Sequence, residues 1–244
     1  MITGRRPDPA LRRAARPGEQ AMDSGGGEFG RLYVVRDGDP RARTVRIPRA
    51  DTWYVDPVHS TIGFAAGMQD LVRIRGRFGK VSGVVWIADN PERSSASVTV
   101  ETASIDTGIE RRDNHLRSPD FLDAARFPTM TWQGHRAEPT EDPEVWVFHG
   151  DLTLKEVTRP VPLVGRFLGE RPYPFGDAAL ASFTGSGRLD RFDFGIDTFP
   201  PLPGMKLFVG RHIEIELDVA LINTDIRFFT ERFLAGKRST IDQR

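Results

Sequence analysis

The chain has 244 residues, 39% hydrophobic and 28% charged, the profile of a folded soluble domain rather than a disordered or membrane-embedded chain. Its 34 Lys and Arg balance 34 Asp and Glu, so no net field draws it to nucleic acid or to an anionic bilayer. With no cysteine, thiol catalysis, disulfides and thiolate metal sites are excluded.

Residues 1 to 30 are rich in Arg, Pro, Gly and Ala and run through Gly25-Gly26-Gly27. They hold too few aromatic and β-branched residues to offset the entropy of ordering, which predicts a disordered basic tail. No apolar stretch follows the basic residues, so a secretion signal is not read and a cytoplasmic location is expected. Nor does any stretch approach the roughly 20 apolar residues of a membrane span, so no stable membrane insertion is expected.

Residues 31 to 50 read as a hairpin extension: Leu32-Tyr33-Val34-Val35 and Thr44-Val45-Arg46-Ile47 flank the turn Asp37-Gly38-Asp39-Pro40. A lone hairpin is marginal in water, so this one must dock on the main domain.

From 51 to 222 the pattern is β. Thr61-Ile62-Gly63-Phe64, Ser97-Val98-Thr99-Val100 and Met130-Thr131-Trp132-Gln133 alternate, and Ile213-Glu214-Ile215-Glu216-Leu217-Asp218-Val219 alternates most strictly. Period-two runs between Gly, Pro and Asp turns predict antiparallel strands with one face buried, in a sandwich or an up-and-down barrel. If Phe64 points inward, Ile62 and Ala66 do too. Val85 and Ile87 share a face, which turns Trp86 outward; the hairpin or a second subunit is expected to cover it.

The polar stretch Glu110 to Asp123 breaks the rhythm. Its apolar points are Leu116, Phe121 and Leu122, and it suits one or two helical turns over a barrel mouth, bounded by Pro119 and Pro128. Residues 223 to 244 contain Ile226, Phe229 and Phe233 on one helical stripe with Gly236 as a stop, which predicts a short amphipathic helix packed on its own domain.

Several stretches in order carry a family resemblance: Tyr54-Val55-Asp56-Pro57-Val58-His59-Ser60, Arg73-Ile74-Arg75-Gly76-Arg77-Phe78, Ser104-Ile105-Asp106-Thr107-Gly108, Arg112-Asp113-Asn114-His115-Leu116-Arg117-Ser118, Phe127-Pro128, Gly150 to Val161, and Arg191-Phe192-Asp193-Phe194-Gly195. Together they resemble the YceI-like, or polyisoprenoid-binding, family over residues 53 to 221. That resemblance implies an all-β fold: an eight-stranded antiparallel up-and-down lipocalin-like barrel, here with a short helical insert, an N-terminal extension and a short C-terminal helix. It also implies a lipid ligand inside the barrel, carriage rather than catalysis, and often a homodimer. Where many members place a histidine after the first strand, this chain reads Ala66-Gly67-Met68-Gln69, with Met68 as a greasier replacement.

The candidate apolar channel comprises Ile62, Phe64, Met68, Phe78, Val85, Ile87, Leu116, Phe121, Leu122, Trp132, Trp146, Phe148, Leu152, Leu154 and Phe194. Core packing is the competing reading for each. Arg112, His115 and Arg191 are candidates for a polar head group at the mouth. No cofactor and no metal are expected: His59, His115, His135, His149 and His212 show no ligand spacing, and Gly185-Ser186-Gly187 lacks the nucleophile-elbow pattern. Two alternatives stay open. One is an interaction module with a filled barrel acting through its termini; the other is a lipid-modifying enzyme using His115 and Asp113 at a pocket mouth.

Overall fold

The computed structural model describes residues 30–35, 43–69, 71–173, 178–198 and 208–224. The expected tail, but for Gly30, and the expected helix beyond Asp225 lie outside the described residues.

A short hairpin pairs β1 (Arg31–Val35) with β2 (Arg43–Ile47). The main sheet contains β3 (Asp51–Val55), β4 (Thr61–Met68), β5 (Val72–Phe78), β6 (Val81–Ile87), β7 (Ser95–Glu101), β8 (Ile105–Asp106), helix α1 (Glu110–Arg117) as an insert, then β9 (Thr129–Pro139), β10 (Val145–Leu154), β11 (Val157–Pro160), β12 (Leu163–Pro172), β13 (Ala179–Asp190) and β14 (Val209–Ile222). Several of these are segments of one interrupted strand. β3 and β4 both run antiparallel to β14, β6 and β5 pair with them in turn, and β7 and β8 follow. β11 and β12 likewise both pair with β10. Counted this way, eight strands lie side by side in chain order, and the β13–β14 pairing leads back through β14 to the first strand to close the ring. This is the expected up-and-down barrel. Closure removes the open edges that a sheet of this size would otherwise expose.

The interruptions have local causes. Between β3 and β4 the buried Asp56 carboxylate accepts the Val58 N–H at 2.9 Å and lies 2.7 Å from His59 Nδ1, which fixes a turn. Its own N–H reaches Ala220 O at 2.9 Å, and the Ser60 hydroxyl accepts the Ala220 N–H at 3.0 Å, so β14 holds both sides of the break. Within β10 a bulge at His149/Gly150 shifts the register. Gly150 and its cross-strand partner Gly134 are there to seat the Trp132 ring: a Cβ would stand 2.4 Å from that ring at Gly150 and 2.6 Å at Gly134.

The two ends of the barrel are closed differently. Over one end lies α1, tied down by Asp113, whose buried carboxylate accepts the Thr107 N–H at 2.9 Å and hydroxyl at 2.5 Å. Arg117 adds bonds to Ala103 O and Ile105 O at 2.8 and 2.6 Å. Leu116, Phe121 and Leu122 then pack with Ile105, Leu154, Phe194 and Ile196, as the roofing expectation requires.

Across the other end lies the hairpin. Val45 and Ile47 bury themselves against Trp146 and Ala137, with Tyr33 and Phe148 alongside. The hairpin therefore docks on the domain but does not cover Trp86, which remains 49% exposed. The hairpin half of that expectation is corrected: apolar residues of β2 gain more from the open barrel end, lined with large aromatics, than from one indole on the outer face.

Candidate functional site

Between the two ends the barrel encloses a cavity of about 330 Å³. Every strand of the ring contributes to its wall. Inward residues of β4, β5 and β6 supply Ile62, Phe64, Ala66, Phe78, Val81, Val85 and Ile87, and β7 adds Ala96, Val98 and Val100. Across the barrel stand Met130 and Trp132 of β9, Phe148, Leu152 and Leu154 of β10, and Leu163 of β12. The remaining arc is Phe183 and Leu189 of β13 with Ile213, Ile215, Leu217, Val219 and Leu221 of β14. Leu116, Phe121 and Leu122 close it from the α1 side.

The cavity space has a sequence basis. Small residues Ala66, Ala96, Gly165 and Gly185 sit on its walls. A Cβ at Gly165 would fall 2.7 Å from the Phe148 ring, so that glycine lets the ring lie flat against β12. The Trp132 indole, lying against Gly134 and Gly150, donates to Val161 O at 2.9 Å. Its one polar atom is thereby satisfied, and it shows the cavity an apolar surface.

The electrostatics are spare. Among the described residues no carboxylate, histidine or lysine lines the cavity, and the polar side chains on its wall are Thr131, Thr184 and Arg191. Arg191 is 3% exposed and makes no ion pair among the described residues. It donates instead to four backbone carbonyls: Gly210 at 3.1 Å, Val209 at 3.2 Å, Thr198 at 3.3 Å and Ile196. Burial pushes this guanidinium below the ordinary arginine value, opposed by Asp197 and Asp190. Two of these bonds tie Arg191 to β14 and two fold the 191–198 segment back onto it, so four bonds to the described residues draw on the five N–H donors of the guanidinium.

The other expected residues fall elsewhere. Met68 is half-buried at the end of β4 and does not line the cavity. Trp146 points into the barrel but lies below the cavity, under the hairpin. Phe194 is buried in the packing that backs the α1 end, behind the lining. Arg112 and His115 are on the outside of α1, beside Ile109 and Arg111 on a shallow surface depression. Arg112 bonds Thr107 Oγ1 at 2.7 Å and Thr107 O at 3.0 Å, a bracing role. His115 sits 3.2 Å from the Asp120 carboxylate, its ring edge-on to Phe121.

Sequence reasoning missed most of the β14 wall, although that strand carries the clearest alternation in the chain, and it missed Met130 and Phe183. The chemistry available inside is limited. Among the described residues the lining has no nucleophile–base pair, and no cluster of His, Asp and Glu could hold a metal ion. These residues make a long apolar surface with the Arg191 cation held by backbone at one end.

The sequence pattern of the YceI-like domain matches residues 53–221. The chain belongs to the YceI-like family. It is 34% identical over 159 residues to a UPF0312 protein of Vibrio vulnificus strain YJ016, covering 65% of this chain and 81% of that one. A UPF0312 protein of Ectopseudomonas mendocina is 41% identical over 109 residues, 45% of this chain and 56% of the other. Among solved structures, Burkholderia cenocepacia BcnA superposes with a TM-score of 0.56 at 20% identity, over 68% of this chain and 98% of its own. The Campylobacter jejuni YceI protein gives 0.54 at 24% identity, over 64% and 88%. A polyisoprenoid binding domain from Saccharophagus degradans gives 0.51 at 13%, over 72% and 100%. These likenesses establish the barrel. In this YceI-like protein the hairpin lies ahead of the residues the family pattern covers.

Proposed function

We propose that this YceI-like barrel binds and carries a long apolar lipid chain, such as a polyprenyl, an isoprenoid quinone or a fatty acyl chain, and performs no chemistry on it. The observation that carries this reading is the cavity: about 330 Å³ of space walled by aliphatic and aromatic side chains from all eight strands. Each methylene buried there contributes about 0.8 kcal/mol, so a chain needs no polar anchor to bind well. The fold neighbour from Saccharophagus degradans, described as a polyisoprenoid binding domain, supports the same class of ligand. A barrel filled with its own side chains, as the interaction-module alternative requires, would leave no such space. The enzyme alternative loses its pair, because His115 is outside the lining and Asp113 is committed to Thr107.

A head group, where the ligand has one, would meet Arg191, whose guanidinium reaches the lining while Arg112 and His115 do not. The test is to purify the protein without detergent, denature it into organic solvent, and identify the extract by mass spectrometry. A chain lipid at about one per protein is the expected result. A clean extract, together with no uptake from a prenol and fatty-acid mixture, would overturn the proposal.

A further inference from the structure

The extension ahead of the YceI-like region closes the barrel end opposite α1, and how it does so points to a role in selecting cargo. The floor of the cavity is an aromatic layer of Trp53, Trp146 and Phe167, all essentially buried, just beyond the deepest lining residues Ile87 and Phe148. Both floor indoles donate to the extension's backbone: Trp146 Nε1 to Arg46 O at 3.3 Å and Trp53 Nε1 to Arg49 O at 3.2 Å. Gly30 lies so close over Phe167 that a Cβ there would meet its ring at 2.7 Å. The extension therefore positions each member of the floor.

It is also fastened around the rim. The Arg31 guanidinium donates to Ala88 O at 2.5 Å and Asp89 O at 3.1 Å, just past the end of β6, and to Pro48 O of the extension itself at 3.2 Å. Arg46 N–H donates to Pro143 O at 3.0 Å in the β9–β10 turn. On β12 the buried Glu170 carboxylate accepts the Arg49 N–H at 2.8 Å and pairs with its guanidinium. Anchors on three separate strand ends, with Val45 and Ile47 wedged between them, form a fitted stopper rather than a trailing segment.

We propose that residues 30–35 and 43–49 are a stopper that makes the barrel a blind-ended pocket and so sets the longest apolar chain it accepts. The proposal rests on the carrier reading above. From Phe148 to Leu154, six strand residues at about 3.3 Å each and a tilt near 40° give a channel roughly 15 Å deep above the floor. A chain that reaches the aromatic layer can bury no further methylene. The stopper lies ahead of the residues that the family pattern matches, so chain-length selection would rest on residues the pattern does not cover.

The test uses the full-length protein, stripped of lipid, and straight-chain primary alcohols of increasing length measured by calorimetry. In the wild type, affinity should rise about fourfold for each added methylene and then level off. Trp146→Ala opens the floor, Val45→Ala/Ile47→Ala weakens the wedge, and Arg31→Ala removes a partly exposed anchor with little risk to folding. In the wedge and anchor variants the short-chain affinities should be unchanged. At lengths where the wild type has levelled off, all three variants should keep gaining about fourfold per methylene. Acrylamide quenching of tryptophan should rise in the wedge and anchor variants, reporting a loosened stopper. A levelling-off point that stays put in folded variants whose quenching has risen overturns the stopper and leaves the carrier intact. Wild-type protein that binds no alcohol of any length overturns the carrier reading, and the stopper's selective role with it.

Discussion

Stripping the bound chain from this barrel should cost stability, and the cavity sets the scale. An apolar space of about 330 Å³ left unfilled, at about 24 cal/mol per Å³, costs about 8 kcal/mol as an upper bound, because the walls relax in part. Water is a poor substitute, since a water molecule needs two to four polar partners and the walls offer Thr131, Thr184 and Arg191. Against a typical total of about 5–15 kcal/mol, the empty protein should be marginal. Adding back a chain alcohol at about one hundred times its dissociation constant should restore about 2.7 kcal/mol. For a domain of this size that is a rise of about 5–10 °C in Tm. Differential scanning calorimetry of stripped protein, titrated with alcohols of increasing length, reads this directly. The reasoning fails if stripped and loaded proteins melt together, which would mean the walls collapse into the space. It also fails if, at one fixed alcohol concentration, the rise ignores chain length, which would mean the ligand binds somewhere other than the cavity.

Three further outcomes follow from particular contacts. Gly150→Ala puts a methyl 2.4 Å from the Trp132 ring; the ring must move, at about 1–3 kcal/mol, seen as a lower urea midpoint with altered near-ultraviolet circular dichroism, and an unchanged spectrum would contradict the seating argument. Asp113→Ala leaves the Thr107 N–H and hydroxyl without their acceptor and should cost about 2–3 kcal/mol, with faster hydrogen exchange concentrated in α1; uniform exchange would refute its local role. Acid should weaken the fold through three exposed carboxylates held below their ordinary values: Asp142 by the Glu144 N–H and Arg166, Asp106 by the Gly108 N–H and Arg77, and Glu138 by His149 and Arg136. Their folded-state pKa values are depressed, so their contribution is complete above the ordinary carboxylate range near pH 4. It drains as pH falls through the lower folded values. Solvent screening keeps the effect modest, and a urea midpoint that holds flat or rises below pH 4 would contradict it.

The parts of this structure that could be read from the sequence are those set by local pattern. Alternation placed Ile62, Phe64, Val85, Ile87 and Trp132 on the inner face, and all five line the cavity. The residues that fall elsewhere depend on where along the barrel axis they lie. Trp146 and Phe148 share the inward face of β10, yet one is floor under the hairpin and the other is wall. A period of two fixes the face and is silent about depth. The bulge at His149/Gly150 compounds this, because it resets which residues of β10 align with β9. Arg112 and His115 missed the mouth for a different reason: their helix turns Leu116 to the barrel and their own side chains to the outside. Eight residues of which Glu110, Arg111, Arg112, Asp113 and Arg117 are charged and Leu116 alone is apolar carry too weak an apolar stripe to orient from sequence alone.

The hollow itself follows from how side-chain volume is distributed along the axis. Bulk collects at the ends, where Trp53, Trp146 and Phe167 form one layer and Phe194, Ile196 and Leu122 form the other. Between them the walls include Ala66, Ala96, Gly165 and Gly185, and rings such as Phe148 lie against glycine instead of meeting across the middle. An eight-stranded barrel is narrow enough for side chains to fill, so leaving it open takes small residues at mid-height and large ones at the ends. The end layers resist collapse because backbone groups hold them: the indoles of the floor through Arg46 O and Arg49 O of the extension, and the α1 end through Arg191 and the carbonyls of β14. A core built for stability alone would place its largest side chains at the centre. Here the centre is left open, as the proposed carriage of an apolar chain requires.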